Sequence, residues 1–204
     1  MNFSKSTQQM IKLGVLFLLV SLEARAQGPL AAGRSAAFDA SLGYAYVRMP
    51  VPGSGKIGMN GVDATVSADL LPRIGLRADL CYVRSQKVFG TGHHNDALTY
   101  MGGPVFYIVR HRGTTLYLDA LFGGARLNGV NLSDNGGYFF GYVNKPAWSV
   151  GAGAERSFTP SVSLRIGADY LHTTFFNRTA AYQSEGSLRG LVSVVYTFGR
   201  GHRR

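Results

Sequence analysis

The chain of 204 residues contains a single cysteine, Cys81, so no intramolecular disulfide can staple the fold. No cysteine stands at the end of the apolar N-terminal stretch, so no lipoprotein anchor is expected. Nowhere is there a run of about 18 apolar residues, the length a membrane-spanning helix needs. Charge is sparse at 16%, and although 21 basic residues outnumber 11 acidic ones, they form no dense cluster before Arg200, His202, Arg203 and Arg204. A nucleic-acid partner calls for a concentrated basic face, so nucleic acid is excluded. Scattered Lys and Arg are better suited to anionic lipid head groups.

The N-terminus has the three parts of a secretory signal. Lys5 and Lys12 supply the positive region, residues 13–20 (LGVLFLLV) the short apolar core, and Ala24-Arg25-Ala26 the small-residue cleavage site. The expected organisation is a signal peptide over 1–26 cleaved after Ala26, a periplasmic leader over 27–36, a barrel over 37–198 and a basic tail over 199–204.

Beyond the leader, apolar and polar residues alternate with period two in eight segments, the mark of half-buried strands. They fall at about 38–48, 61–70, 74–84, 97–110, 114–126, 147–158, 162–173 and 187–198. The fourth is the least regular, because MGGPVFYIV contains Pro104. The gaps between segments alternate long and short. Pro72, Gly113 and Pro160 mark the short ones, and the longest gap is NGVNLSDNGGYFFGYVNKP. A closed barrel crossing an outer membrane has this rhythm, with tight periplasmic turns and longer outer loops. Ten or eleven residues at about 3.3 Å each and a tilt near 40° rise roughly 25–28 Å, the height of an apolar band.

Alternation alone does not separate a membrane barrel from a soluble one; the charges do. Asp39, Asp63, Asp69, Asp79, Asp119, Glu155 and Asp169 share one strand parity with Arg77, Arg165 and Arg189, among Gly and Ser with almost no Lys. A soluble barrel scatters Lys and Glu over its solvent face, whereas small residues beside ions of both signs suit a narrow filled bore. Buried charges must pair there. The reading is a barrel-interior ion network of Arg77, Asp79, Asp119, Glu155, Arg165, Asp169 and Arg189. The opposite parity is aliphatic, with Tyr44, Tyr46, Tyr82, Trp148, Tyr170, Tyr196 and Phe198 near strand ends as interfacial aromatics.

YMGGPVFYIVR (100–110), LDALFGGAR (118–126), IGADYLHTTF (166–175) and the closing LRGLVSVVYTF (188–198) resemble the bacterial outer-membrane beta-barrel domain family, the small barrels similar to the membrane domain of outer membrane protein A. The resemblance covers about residues 36–198. It implies an all-β, eight-stranded antiparallel up-and-down transmembrane barrel in the bacterial outer membrane, inserted by the barrel-assembly machinery. Ser193 occupies the place five before Phe198 where such closing strands usually carry Gly, and GRGHRR follows Phe198, so recognition by that machinery is expected through an internal signal.

Candidate chemistry is thin. His93 and His94 with Asp96 lie in an outer loop, but adjacent histidines on extended backbone point apart, and no metal or cofactor is expected. His172 and Thr174 are similar to a His-x-Ser pair of barrel lipid A deacylases, with Thr in place of Ser and Glu155 on the inward parity. Tyr138, Phe139, Phe140 and Tyr142 in the longest gap suit the outer-leaflet interface. The sequence therefore points to a structural or surface-interaction protein of the cell envelope rather than an enzyme, surrounded by outer-membrane lipid and lipopolysaccharide. A small pore is the alternative, and a lipid A-modifying hydrolase a remoter one.

Overall fold

The computed structural model describes residues 38–51, 55–86, 93–132, 138–173, 175 and 186–198; the signal peptide, leader and tail lie outside the described residues. Eight strands follow in order: β1 (Phe38–Val51), β2 (Gly55–Leu71), β3 (Ile74–Ser85), β4 (Asn95–His111), β5 (Thr114–Leu132), β6 (Tyr138–Ser157), β7 (Val162–Thr173) and β8 (Ser187–Phe198). Each pairs antiparallel with its neighbours in sequence, and β1 also pairs with β8 from Phe38↔Phe198 to Arg48↔Leu188, closing the barrel. Closure leaves no sheet edge within the ring, the condition for β-structure in lipid. Among the described residues no helix is long and apolar enough to cross a membrane.

The parity of the sequence becomes the two faces of the wall. Even-numbered positions such as Leu42, Val62, Leu80, Leu118, Val150, Ile166 and Val194 are exposed on the outside. Odd-numbered ones turn inward and are buried, as with Asp63, Arg77, Leu121, Ser149 and Val195. The short connections have identifiable turn chemistry. Arg112 and Gly113 both take positive φ, 46° and 78°, the pair of left-handed residues that a two-residue hairpin matched to strand twist requires. At the next turn Thr159 Oγ1 accepts hydrogen bonds from the backbone N–H of Ser161 (3.3 Å) and Val162 (2.9 Å). Register shifts between Asp69 and Leu71 and between Tyr107 and Val109 sit at the same end of the barrel.

Several strands outrun the alternation that announced them. Gly55–Asn60 joins β2, Leu127–Leu132 joins β5, and 138–146 joins β6, so pairing continues to Val51↔Gly55 and Leu132↔Tyr138. The first and third gaps shrink to 52–54 and 133–137, and Tyr138, Phe139, Phe140 and Tyr142 belong to a strand rather than a loop. Gly, Asn and Pro interrupt the amphipathic pattern there, but backbone pairing does not require alternation where no lipid faces the strand. β5 and β6 contain 19 and 20 residues. At about 3.3 Å per residue and a tilt near 40°, their hairpin stands roughly 20 Å beyond an apolar band.

Candidate functional site

The bore is filled in two layers. In one half, all seven residues of the expected ion network face inward. Arg189 Nη1 donates to Asp79 Oδ1 at 2.9 Å, and its Nε donates to both oxygens of Asp169 at 3.1 and 2.9 Å. Arg165 bonds Glu155 Oε2 through Nε (3.1 Å) and Nη2 (2.9 Å), and reaches Asp39 Oδ1 at 3.0 Å. Arg77 Nη1 meets Asp119 Oδ2 at 2.6 Å, and its Nε reaches the Ser67 hydroxyl at 3.3 Å. The Tyr117 ring ties the last two groups together, its centroid 4.5 Å from the Arg77 guanidinium and 5.7 Å from that of Arg165. Tyr117 fits because Gly153 on β6 and Gly167 on β7 carry no side chain; a Cβ at either position would press on its hydroxyl.

Two members of this layer, Asp39 and Asp63, share the polar parity but stand outside the network expected from the sequence. Asp63 is 1% exposed, its Oδ2 lies 3.9 Å from Arg189 Nη1, and that oxygen has no hydrogen-bond partner. Asp69 stays apart: it takes a 2.8 Å bond from Arg110 near the short turns, and the Arg110 guanidinium stacks 3.5 Å over Tyr107.

Toward the opposite end the interior is mainly apolar, with Thr99, Ser149 and Ser187 buried among the aliphatic side chains. Val47, Met59, Met101, Leu121, Leu127 and Leu171 are buried and belong to one packed cluster. The sequence reading overlooked this layer, although a signal exists: inward positions change from Asp39 and Ser41 to Ala45, Val47 and Met49 along β1. Above it, Asn95 ties the start of β4 to the protruding hairpin. Its Nδ2 donates to Val130 O (2.9 Å) and its Oδ1 accepts from Val130 N (2.7 Å), mimicking a backbone pair.

The aromatics expected at the interface all lie on the outer face. Tyr44, Tyr46, Tyr82, Trp148 and Tyr170 are exposed toward the long-gap end, and Tyr196 and Phe198 toward the turns. The Tyr44 hydroxyl donates to Asn60 Oδ1. Trp148 stacks on His172 with centroids 4.9 Å apart, and Tyr196 meets Phe198 edge-on at 4.8 Å. A hydrolytic grouping is not assembled among the described residues: Glu155 is bonded inside the bore while His172 stacks on Trp148, paired with it across β6 and β7. Thr174 lies outside the described residues. His94 Nε2 is 3.9 Å from Asp96 and His93 lies 5.6 Å from the Phe140 ring. Among the described residues no three candidate ligands are grouped to hold a metal.

On the outer face near the long-gap end, a depression of about 310 Å³ is lined by Tyr100, Gly123, Gly124, Asn144, Lys145 and Pro146. Arg126 stands beside it, opposite Asn144 in register.

No protein-family description and no curated protein sequence matches this chain. Solved structures do. Ail, the attachment invasion locus protein of Yersinia pestis, matches with a TM-score of 0.53 at 17% identity, covering 81% of this chain and 100% of Ail. Neisserial surface protein A matches with a TM-score of 0.56 at 15% identity, over 80% of this chain and 98% of that one. A major outer membrane protein of Thermus thermophilus matches with a TM-score of 0.55 at 15% identity, over 81% of this chain and 100% of that one. The shared feature is architecture: this chain has the fold of the small bacterial outer-membrane barrels of eight antiparallel strands.

Proposed function

We propose that the protein is an integral outer-membrane barrel with a structural and surface-interaction role in the cell envelope, and that it is neither an enzyme nor an open pore. The observation that carries this reading is the filled bore. A lumen closed by three bonded arginine clusters and then by a packed apolar layer offers ions no continuous wet path. The outer surface supports the membrane setting: an aliphatic band lies between rings of exposed aromatics. The β5–β6 hairpin, with Phe140 and Tyr142 exposed on its outer face, supplies the surface that reaches past the lipid.

On this reading, residues 1–26 are removed on export, the barrel-assembly machinery inserts the chain, and lipid and lipopolysaccharide surround it. Planar-bilayer recordings of the refolded chain, together with detergent sensitivity of cells lacking it, test the proposal. Silent bilayers and increased sensitivity are expected. Reproducible unitary currents would overturn the closed-bore reading, and recovery from the periplasm without detergent would overturn the membrane setting.

A further inference from the structure

We infer that the depression between β4, β5 and β6 seats the phosphorylated head group of an outer-leaflet glycolipid of the lipid A class, with Arg126 as its phosphate ligand. The inference rests on the outer-membrane reading above. Gly124 is paired with Tyr100 on one side and Pro146 on the other. A Cβ at 124 would run into the Tyr100 ring, so glycine there lets that ring lie across the strand and form one wall of the hollow. Its volume of about 310 Å³ stands at the lower edge of the roughly 300–1,000 Å³ typical of ligand sites.

Arg126 follows two positions on along the same outer face, between Leu98 and Asn144. Its guanidinium lies 4.5 Å over the Tyr142 ring, which holds the side chain outward at little entropic cost. Among the described residues Arg126 has no carboxylate partner. Arg77, Arg84, Arg110, Arg165 and Arg189 each have one. A guanidinium presents two parallel N–H donors to phosphate, and without a competing carboxylate that fork is available.

The surroundings select an amphiphile. Phe122, Leu118 and Val150 continue the outer face toward the turns and are exposed, apolar and suited to acyl chains. Among the described residues Lys145 lines the hollow itself, and the other outward cations of the long-gap end are Arg48, Lys56 and Arg84, opposed by Asp96 alone, which bonds Arg84 at 3.3 Å. A ligand with phosphate above and acyl chains below matches this order, and the outer leaflet supplies it as phosphorylated glycolipid.

The test uses the full chain refolded into nanodiscs. Four lipid mixtures are compared: neutral phosphatidylcholine alone, or with bis-phosphorylated lipid A, with lipid A stripped of phosphate, or with phosphatidylglycerol at matched charge. Retained lipid is read by native mass spectrometry. Bis-phosphorylated lipid A is expected to be retained at least about tenfold better than the stripped form, the scale of one charge-assisted contact. Arg126→Gln removes that preference, Arg126→Lys restores part of it, and Arg48→Gln leaves it intact. Gly124→Val, which displaces the Tyr100 ring from the wall of the hollow, weakens retention of both lipid A forms. Equal retention of phosphorylated and stripped lipid A, or equal losses from Arg126→Gln and Arg48→Gln, overturns the site, as does phosphatidylglycerol held as well as lipid A. A wild-type chain that inserts into none of the discs overturns the membrane reading itself and the site with it.

Discussion

Replacing Arg189 by Met keeps most of the side-chain volume while removing the cation at the centre of the bore. Arg189 is 2% exposed and donates three hydrogen bonds to Asp79 and Asp169. With it gone, those two carboxylates and Asp63 face one another with no guanidinium among them. Breaking a buried ion pair by deleting one partner costs about 3–5 kcal/mol, because the remaining charge is left without compensation, and here more than one carboxylate is stranded. Asp63→Asn is the informative companion. Asp63 Oδ2 has no hydrogen bond and sits 3.9 Å from the guanidinium, so removing its charge relieves repulsion from Asp79 and is expected to change stability by less than about 1 kcal/mol or to raise it. The assay is urea unfolding from lipid vesicles, followed by the gel mobility of unheated samples and by fluorescence of Trp148, the one tryptophan in the chain. Arg189→Met should unfold at markedly lower urea than wild type, and Asp63→Asn should not. An Arg189→Met midpoint equal to wild type, or an Asp63→Asn loss as large as that of Arg189→Met, would refute the view of Arg189 as the charge on which this layer depends.

Other outcomes follow from the same geometry. Leu121→Ala, in the apolar layer, should cost about 2–4 kcal/mol in the same assay while planar bilayers stay silent, because the Arg189 layer below it is intact. Asn95→Ala should accelerate amide exchange in 127–143 and leave the global unfolding midpoint nearly unchanged, since the two bonds it loses join β4 only to the protruding hairpin. Gly43→Val places a side chain against the Val192 carbonyl and Ser193 at the β1–β8 seam; loss of the compact, heat-modifiable gel form is expected. Trp148, 37% exposed on the outer face, should be quenched by lipids brominated near the head group more strongly than by those brominated at the chain ends.

Legibility in the sequence differed from one half of each strand to the other. Where lipid lies on one side and the bore on the other, Leu-Arg-Ala-Asp-Leu (76–80) and Leu-Arg-Ile-Gly-Ala-Asp (164–169) declare both faces, because each residue meets a different solvent from its neighbour. Beyond the apolar band that contrast disappears. Leu127–Leu132 and 138–146 pair beyond that band, so their pairing left no alternation to read. The apolar plug was obscured for a related reason: Ala, Val and Met inside the bore and Leu and Val outside it are chemically alike, and parity carries no information when both faces are apolar. The hollow at Gly124 was illegible too, because it is a gap between Tyr100, Asn144 and Pro146, which come together only when separate strands pair.

By itself the amino-acid sequence determined the number of strands, which face of each meets lipid, and that ions of both signs share the interior. These are consequences of local period and solvent, and they need no knowledge of neighbours beyond the next residue. Only the tertiary structure decided which ions meet. Arg165 reaches Asp39, 126 positions away, and Arg189 reaches Asp79, 110 positions away. Such partners are set by the stagger of closure, as when Phe38 pairs with Phe198, and a shift of two residues at that seam would keep every parity while exchanging the ionic partners across it.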